Sequence, residues 1–127
     1  PNLHVQDMVD VYRALLAAPS EKIAGEIFNA GFQNMSIMEI AKLAKKVVEE
    51  IFPEKGDIEV VTTPTDDIRS YHVNSDKIRR VLGFEPRFTV EDAIRDLCDA
   101  FRSNKLPNSL EDTFYFNVRR LKALKAA

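Results

Sequence analysis

The sequence predicts an α+β fold, a small mixed domain of about four helices with short strands. Three observations predict it. Apolar residues recur at three- and four-residue intervals over 5–18, 36–51 and 89–101, which is the spacing of one helix face. Two short runs, 26–31 and 58–61, are rich in apolar and β-branched residues and lie between turn residues, as strands do. The chain has 127 residues, of which 45% are hydrophobic, and this suffices for one core.

The first element is a helix that begins near Val5 and ends before Pro19, because proline cannot continue a helix. His4 and Asp7, at its start, are three residues apart. That spacing suits a metal pair or an acid–base pair, and it also suits a hydrogen bond at the start of a helix. After a turn, residues 26–31 predict a short buried strand that ends in a glycine.

Capping residues mark the next helices. Ser36 and Glu39 have the Ser-x-x-Glu spacing of a capping box, and they predict the start of a helix that stops at Phe52. Residues 74–83 predict a further helix. Thr89, with an acidic residue three positions later, predicts the start of another.

Composition excludes several classes of partner. The formal net charge of −2 argues against a nucleic-acid partner and against an anionic membrane surface. No apolar run approaches the roughly 20 residues that span a bilayer, so we expect no membrane partner. The single cysteine, Cys98, excludes an internal disulfide and a cysteine-based zinc site, and it fits a reducing, cytoplasmic location. On its apolar stripe it predicts a buried, inert thiol, and we expect no metal site.

The stretch 62–87 carries the candidate chemistry. Arg69, Tyr71 and His72 lie just before the predicted helix 74–83, whose N-terminus offers unpaired N–H groups. A guanidinium beside a helix start suits an anionic ligand such as a phosphate. The same residue types also suit a solvated surface loop.

Catalytic patterns are missing from the sequence. It has no glycine-rich turn of the dinucleotide-binding kind, no arguable Ser–His–Asp or Cys–His arrangement, and no Tyr-x-x-x-Lys pair. We therefore expect no catalytic residue and no cofactor site in this chain.

Short motifs follow one another in a fixed order over residues 1–102. They are LHVQD (3–7), EIFNAG (26–31), SIMEI (36–40), DIRSY (67–71), SDKI (75–78), LGFEP (82–86) and TVE (89–91). In type and order they resemble the C-terminal, substrate-binding lobe of the extended short-chain dehydrogenase/reductase family, the NAD-dependent nucleotide-sugar epimerases and dehydratases. The resemblance implies a longer parent enzyme, whose N-terminal Rossmann lobe binds NAD or NADP and carries the catalytic Tyr and Lys.

Site residues follow from the same resemblance. It implies that Arg69 binds the diphosphate of a nucleoside-diphosphate sugar and that Tyr71 shapes the wall of the cleft. It also implies that Asn29 and Asn34 lie near the nucleotide. Residues 1–105 would then form the substrate-binding lobe, and 106–127 a C-terminal arm with a terminal helix.

Two expectations and two alternatives complete the interpretation. Alone, the lobe is expected to be inert and to bind neither NAD nor substrate tightly. The face that meets the Rossmann lobe is expected to leave an apolar patch that favours a homodimer. One alternative is a non-enzymatic α+β interaction module that grips a protein partner with the aromatic and basic arm; the other is a regulatory domain that senses a nucleotide.

Overall fold

A computed structural model describes residues 1–64, 66 and 70–125 of the chain. The chain divides into two compact units, Pro1–Asp96 and Leu97–Ala127. The functional division after residue 105 stays a prediction. Helices dominate both units: α1 (Val5–Ala17), α2 (Ser20–Ile23), α3 (Ile37–Ile51), α4 (Asp76–Leu82), α5 (Val90–Arg102) and α6 (Asn117–Lys125), with short 3-10 turns at Pro53–Lys55 and Thr113–Tyr115.

The predicted α+β class is wrong, because the described residues form no sheet. Helix accounts for 55% of the structure, and the β pairing described is a single isolated antiparallel bridge between Asn2 and Gln33. Neither 26–31 nor 58–61 forms a strand. Strand propensity measures how well a segment fits beside a neighbouring strand, and these two segments have helical neighbours instead.

Side chains take the place of a β ladder at residues 57–58. The Ile58 backbone N–H donates to the Glu49 carboxylate at 2.7 Å, and Lys45 Nζ donates to the Ile58 carbonyl and to Asp57. Backbone groups of a strand-like segment must find partners somewhere, and α3 supplies them here.

The capping predictions are confirmed. The Ser36 hydroxyl accepts from the Glu39 N–H, and the Glu39 carboxylate accepts from the Ser36 N–H, which lowers the pKa of Glu39 below its ordinary value. Thr89 and Asp92 make the same reciprocal arrangement at the start of α5. There the Thr89 hydroxyl is the main cause of the lowered pKa of Asp92.

A buried carboxylate ties the segment before α5 to α1. Asp7 has no exposed surface, and its two oxygens accept from the backbone N–H groups of Arg87 and Phe88 at 3.0–3.1 Å. The Arg87 guanidinium also donates to Asp10, one helical turn further along α1. His4 caps α1 by accepting from the Gln6 N–H, so the helix-start interpretation of His4 is confirmed, while Asp7 binds elsewhere.

Helix α1 divides its apolar residues between two faces. Val11 is buried, whereas a second set is exposed, from 38% to 88% of each residue's surface: Val5, Met8, Val9, Tyr12 and Leu16. This exposed stripe matches the expected apolar patch, and the homodimer stays a prediction. Cys98 is buried, as its position on the apolar stripe predicted. Among the described residues, no helix is long and apolar enough to cross a bilayer.

Candidate functional site

An open groove of about 450 Å³ lies within the unit Pro1–Asp96. It is bordered by Gly31 and Phe32, by residues 72–76 and 78–79, and by 84–86. It therefore brings together the end of the segment 26–31, the stretch after Tyr71 and the start of α4. The lining thus includes residues of three motifs that carried the resemblance, 26–31, 75–78 and 82–86.

Asn34 joins two of these segments. Its side-chain amide makes two bonds to the backbone of Val73: Oδ1 accepts from the N–H at 3.2 Å, and Nδ2 donates to the carbonyl at 3.1 Å. A primary amide that donates and accepts in this way acts as a neighbouring strand would. Asn34 thus holds the stretch that follows Tyr71 and His72 close to the loop after Gly31.

Lys77 makes the second connection, from the first turn of α4. Its ammonium group lies 2.5 Å from a Glu26 carboxylate oxygen and donates to the Ile27 carbonyl at 2.9 Å. It also lies 5.1 Å from the centre of the Phe28 ring. All of these partners are consecutive residues, about 50 positions earlier in the chain. One side chain therefore fixes the segment that leads to Gly31.

The start of α4 is already capped. Asn74 Oδ1 accepts from the Asp76 N–H at 2.8 Å, and its Nδ2 donates to the Asp76 carboxylate at 2.8 Å. The Ser75 hydroxyl is buried and has no hydrogen-bond partner among the described residues. A Cβ added to Gly31 would lie 3.6 Å from that hydroxyl oxygen, so the two segments approach closely here.

None of the predicted site residues that the structure describes borders the groove. Arg69 is outside the described residues. Tyr71 is 64% exposed, and Asn29 is also exposed. Neither of them, nor Asn34, borders the groove, whereas His72, from the same stretch as Tyr71, does. Their roles in binding stay predictions.

Charge in the groove is mixed. Its described lining carries one arginine, Arg79, together with the carboxylates of Asp76 and Glu85. Arg79 lies 3.9 Å from Asp76. The described lining therefore offers an anion one guanidinium beside two carboxylates, and the predicted anion-binding Arg69 lies outside the described residues. No cluster of three metal-ligating side chains occurs in the part of the chain that the structure describes.

Sequence reasoning missed the contacts of Lys77, although a signal was present. Lys77 is the second residue of α4, where the positive end of the helix dipole disfavours a cation. A lysine at such a position is a sign that it has a specific acidic or carbonyl partner. The sequence does not show that this partner lies at residues 26–28.

Several curated bacterial dTDP-glucose 4,6-dehydratases are similar to the chain. A dTDP-glucose 4,6-dehydratase of Neisseria meningitidis is 34% identical over 106 residues, which is 76% of this chain and 30% of that protein. The dTDP-glucose 4,6-dehydratase 1 of Escherichia coli K12 is 33% identical over 107 residues, which is 80% of this chain and 29% of that protein. The chain is homologous to dTDP-glucose 4,6-dehydratases. The resemblance to the extended short-chain dehydrogenase/reductase family is thereby confirmed.

The homology falls on the C-terminal part of these enzymes. The chain spans about 30% of the length of the curated relatives that it matches. A Shigella flexneri dTDP-glucose 4,6-dehydratase shows the same 33% identity over 107 residues. No family model and no solved structure matches the chain.

Proposed function

We propose that this chain is the substrate-binding lobe of an NAD(P)-dependent nucleotide-sugar dehydratase whose substrate carries thymidine diphosphate. The observation that carries the proposal is the homology to dTDP-glucose 4,6-dehydratases over 76–80% of the chain. The homology gives no support to the alternative of a non-enzymatic interaction module.

The proposed roles follow the chemistry of each side chain. Arg69 binds the diphosphate, because its planar fork of N–H donors matches two phosphate oxygens. Tyr71, which is exposed, offers a ring against the nucleotide. Asn29 offers a side-chain amide to the nucleotide. The Asn34 amide uses one N–H and its oxygen in hydrogen bonds to Val73, and its second N–H can donate to a ligand.

The residues present do not fit a dinucleotide. Such a site needs a strand, a glycine-rich turn and a helix, and the sequence contains no turn of that kind. We therefore assign NAD or NADP and the catalytic groups to the rest of the parent enzyme. This lobe has no turnover alone and binds its nucleotide weakly, since one wall of the cleft belongs to the parent.

Nuclear magnetic resonance can detect such weak binding. We expect thymidine diphosphate, titrated to millimolar concentration into the ¹⁵N-labelled 127-residue chain, to cause saturable shifts of amides in 26–34 and 70–76. Arg69→Ala removes the bidentate contact, so the dissociation constant should rise about tenfold.

A matched control is Arg80→Ala, which removes an exposed arginine of α4 that does not border the groove. Its dissociation constant should stay within about twofold of the unmutated chain. Equal losses in the two variants would indicate non-specific attraction and contradict the assigned role of Arg69. The absence of saturable shifts in the unmutated chain would reject the proposed function.

A further inference from the structure

We infer that Lys77 is a positioning residue for nucleotide binding. It does not touch the ligand, but holds residues 26–28 and thereby fixes the position of the residues that follow, Asn29 and the groove-lining Gly31. This inference rests on the proposed function and deepens it. It concerns a residue that neither the sequence motifs nor the relatives' names assign to the site.

The first reason is the geometry of the contacts. The Lys77 ammonium group meets a carboxylate, a carbonyl and a ring, all within Glu26–Phe28. Ammonium has three donors and a flexible stem, so it suits several acceptors that lie close together. Residues 29–31 continue from this fixed point without a helix or a strand of their own.

The second reason is that the same contacts contribute little stability. The side chains of Lys77 and Glu26 are 41% and 47% exposed, and ion pairs that exposed add little to the free energy of folding. The same contacts can still determine the position of residues 26–28. A segment without regular structure samples many conformations unless a contact restricts it. Without such a contact, its conformational entropy would be lost on binding, and this loss would weaken the affinity.

A third reason is that Gly31 lies beside the residue just before α4. A Cβ at that position would lie 3.5 Å from Pro1 and 3.6 Å from the Ser75 hydroxyl, so this part of the backbone passes close to the residue just before α4. Lys77 is two residues after Ser75. The end of the segment and its anchor are therefore both attached to the start of α4.

The test is the titration of the full 127-residue chain with thymidine diphosphate. For Lys77→Met we expect the dissociation constant to rise about fivefold. The loss of binding free energy is then about that of one hydrogen bond, and we attribute it to the lost preorganisation of residues 26–28. The resonances of the Asn29 side-chain amide and the Gly31 N–H should move in the free protein, while the thermal midpoint changes little. Lys77→Arg keeps the charge and the donors, and it should restore both affinity and resonances.

Lys45→Met is the matched control. It removes a lysine that anchors residues 57–58 in a comparable way, in a part of the chain, 45–61, from which no residue borders the groove. Affinity should stay within about twofold of the unmutated chain. A merely structural role for Lys77 predicts that the two variants behave alike in the titration, and that result would overturn the inference.

The remaining outcomes are also decisive. Unchanged affinity in Lys77→Met, with Arg69→Ala still impaired, rejects the positioning role and leaves the proposed function standing. No saturable binding by the unmutated chain rejects both. If Lys77→Met does not fold, Lys77→Gln decides, because glutamine can still donate to the Ile27 carbonyl but carries no charge for Glu26. Weaker binding then supports the inference, and unchanged binding overturns it.

Discussion

Two segments of this chain look like strands in the sequence, and each is held by a lysine of a helix. Residues 57–58 are held by Lys45 of α3, and residues 26–28 by Lys77 of α4. In both cases the ammonium group joins a carboxylate to a backbone carbonyl. The difference is that α3 also supplies Glu49, which accepts from the Ile58 N–H.

We call the anchor at Ile58 the closed anchor and the anchor at Ile27 the open anchor, according to which backbone groups the side chains bind. At Ile58 both the backbone donor and the backbone acceptor have side-chain partners, so the anchor replaces a whole unit of β ladder. At Ile27 Lys77 binds the acceptor. The segment held by the open anchor leads to Gly31, which borders the groove, whereas none of residues 57–61 borders it. We infer that the segment leading to the groove is held in place but can still adjust.

We expect the contribution of an anchoring side chain to the free energy of unfolding to increase with its burial. Asp7, which anchors residues 87–88, is the most buried case. It is fully buried and accepts from two backbone N–H groups, whereas both lysines are partly exposed. Asp7→Ala should lower the free energy of unfolding by about 2 to 4 kcal/mol, because two donors lose a charged acceptor. Urea unfolding followed by circular dichroism measures it.

Asp7→Asn is the matched variant for that experiment. Its single carbonyl oxygen can still accept, while the new NH₂ group opposes an N–H donor, so we expect about half the loss. A change below about 1 kcal/mol in Asp7→Ala would contradict the view that burial decides the strength of the anchors.

Local features of the sequence were enough to predict the longer helices, whereas the short helix α2 was predicted as a turn. Ser36 with Glu39, and Pro19 after α1, act on their near neighbours, so the helix ends follow from short stretches. Strands cannot be predicted in this way, because a strand needs a partner from elsewhere in the chain. Residues 26–31 and 58–61 have strand-like composition and helical neighbours, and the predicted class failed there.

The candidate site was predicted less completely than the helices. Three motif segments, 26–31, 75–78 and 82–86, each contribute residues to one groove, while the binding roles of the predicted site residues stay predictions. They did not indicate which side chains join those segments. Asn34 was predicted as a ligand contact and binds Val73, and the contacts of Lys77 with residues 26–28 were not predicted. Such contacts depend on the three-dimensional arrangement of distant residues, which one sequence does not contain.

Amide hydrogen exchange can test the contrast between closed and open anchors. Glu49→Ala removes the acceptor of the Ile58 N–H, so that amide should exchange about tenfold faster. Lys77→Met should leave the exchange of amides 26–28 nearly unchanged, because Lys77 binds a carbonyl rather than an N–H. Equal acceleration in both segments would show that the two anchors do not differ in this way.

The smallest expected effect is the pH dependence of the closed anchor. The hydrogen bond from Lys45 lowers the pKa of Asp57. The pKa of Lys45 is raised, first by its hydrogen bond to Asp57 and second by its hydrogen bond to Glu49. A lowered carboxyl pKa stabilises the folded state above the ordinary value of about 3.9, and this contribution is lost as the pH falls through the folded pKa. A raised lysine pKa stabilises the folded state below the ordinary lysine value of about 10.4, and this contribution is lost as the pH rises through the folded pKa.

Between these limits the anchor should not respond to pH, and salt should weaken it because its side chains are exposed. The ¹³C carboxyl shift of Asp57 reports the acid limit directly. We expect a midpoint below the ordinary value, which Lys45→Met moves back toward about 3.9. A midpoint at the ordinary value in the unmutated chain would mean that Lys45 does not hold Asp57 in solution. Lys45 would then not join that carboxylate to the Ile58 carbonyl, and the likeness between this anchor and the one made by Lys77 would disappear.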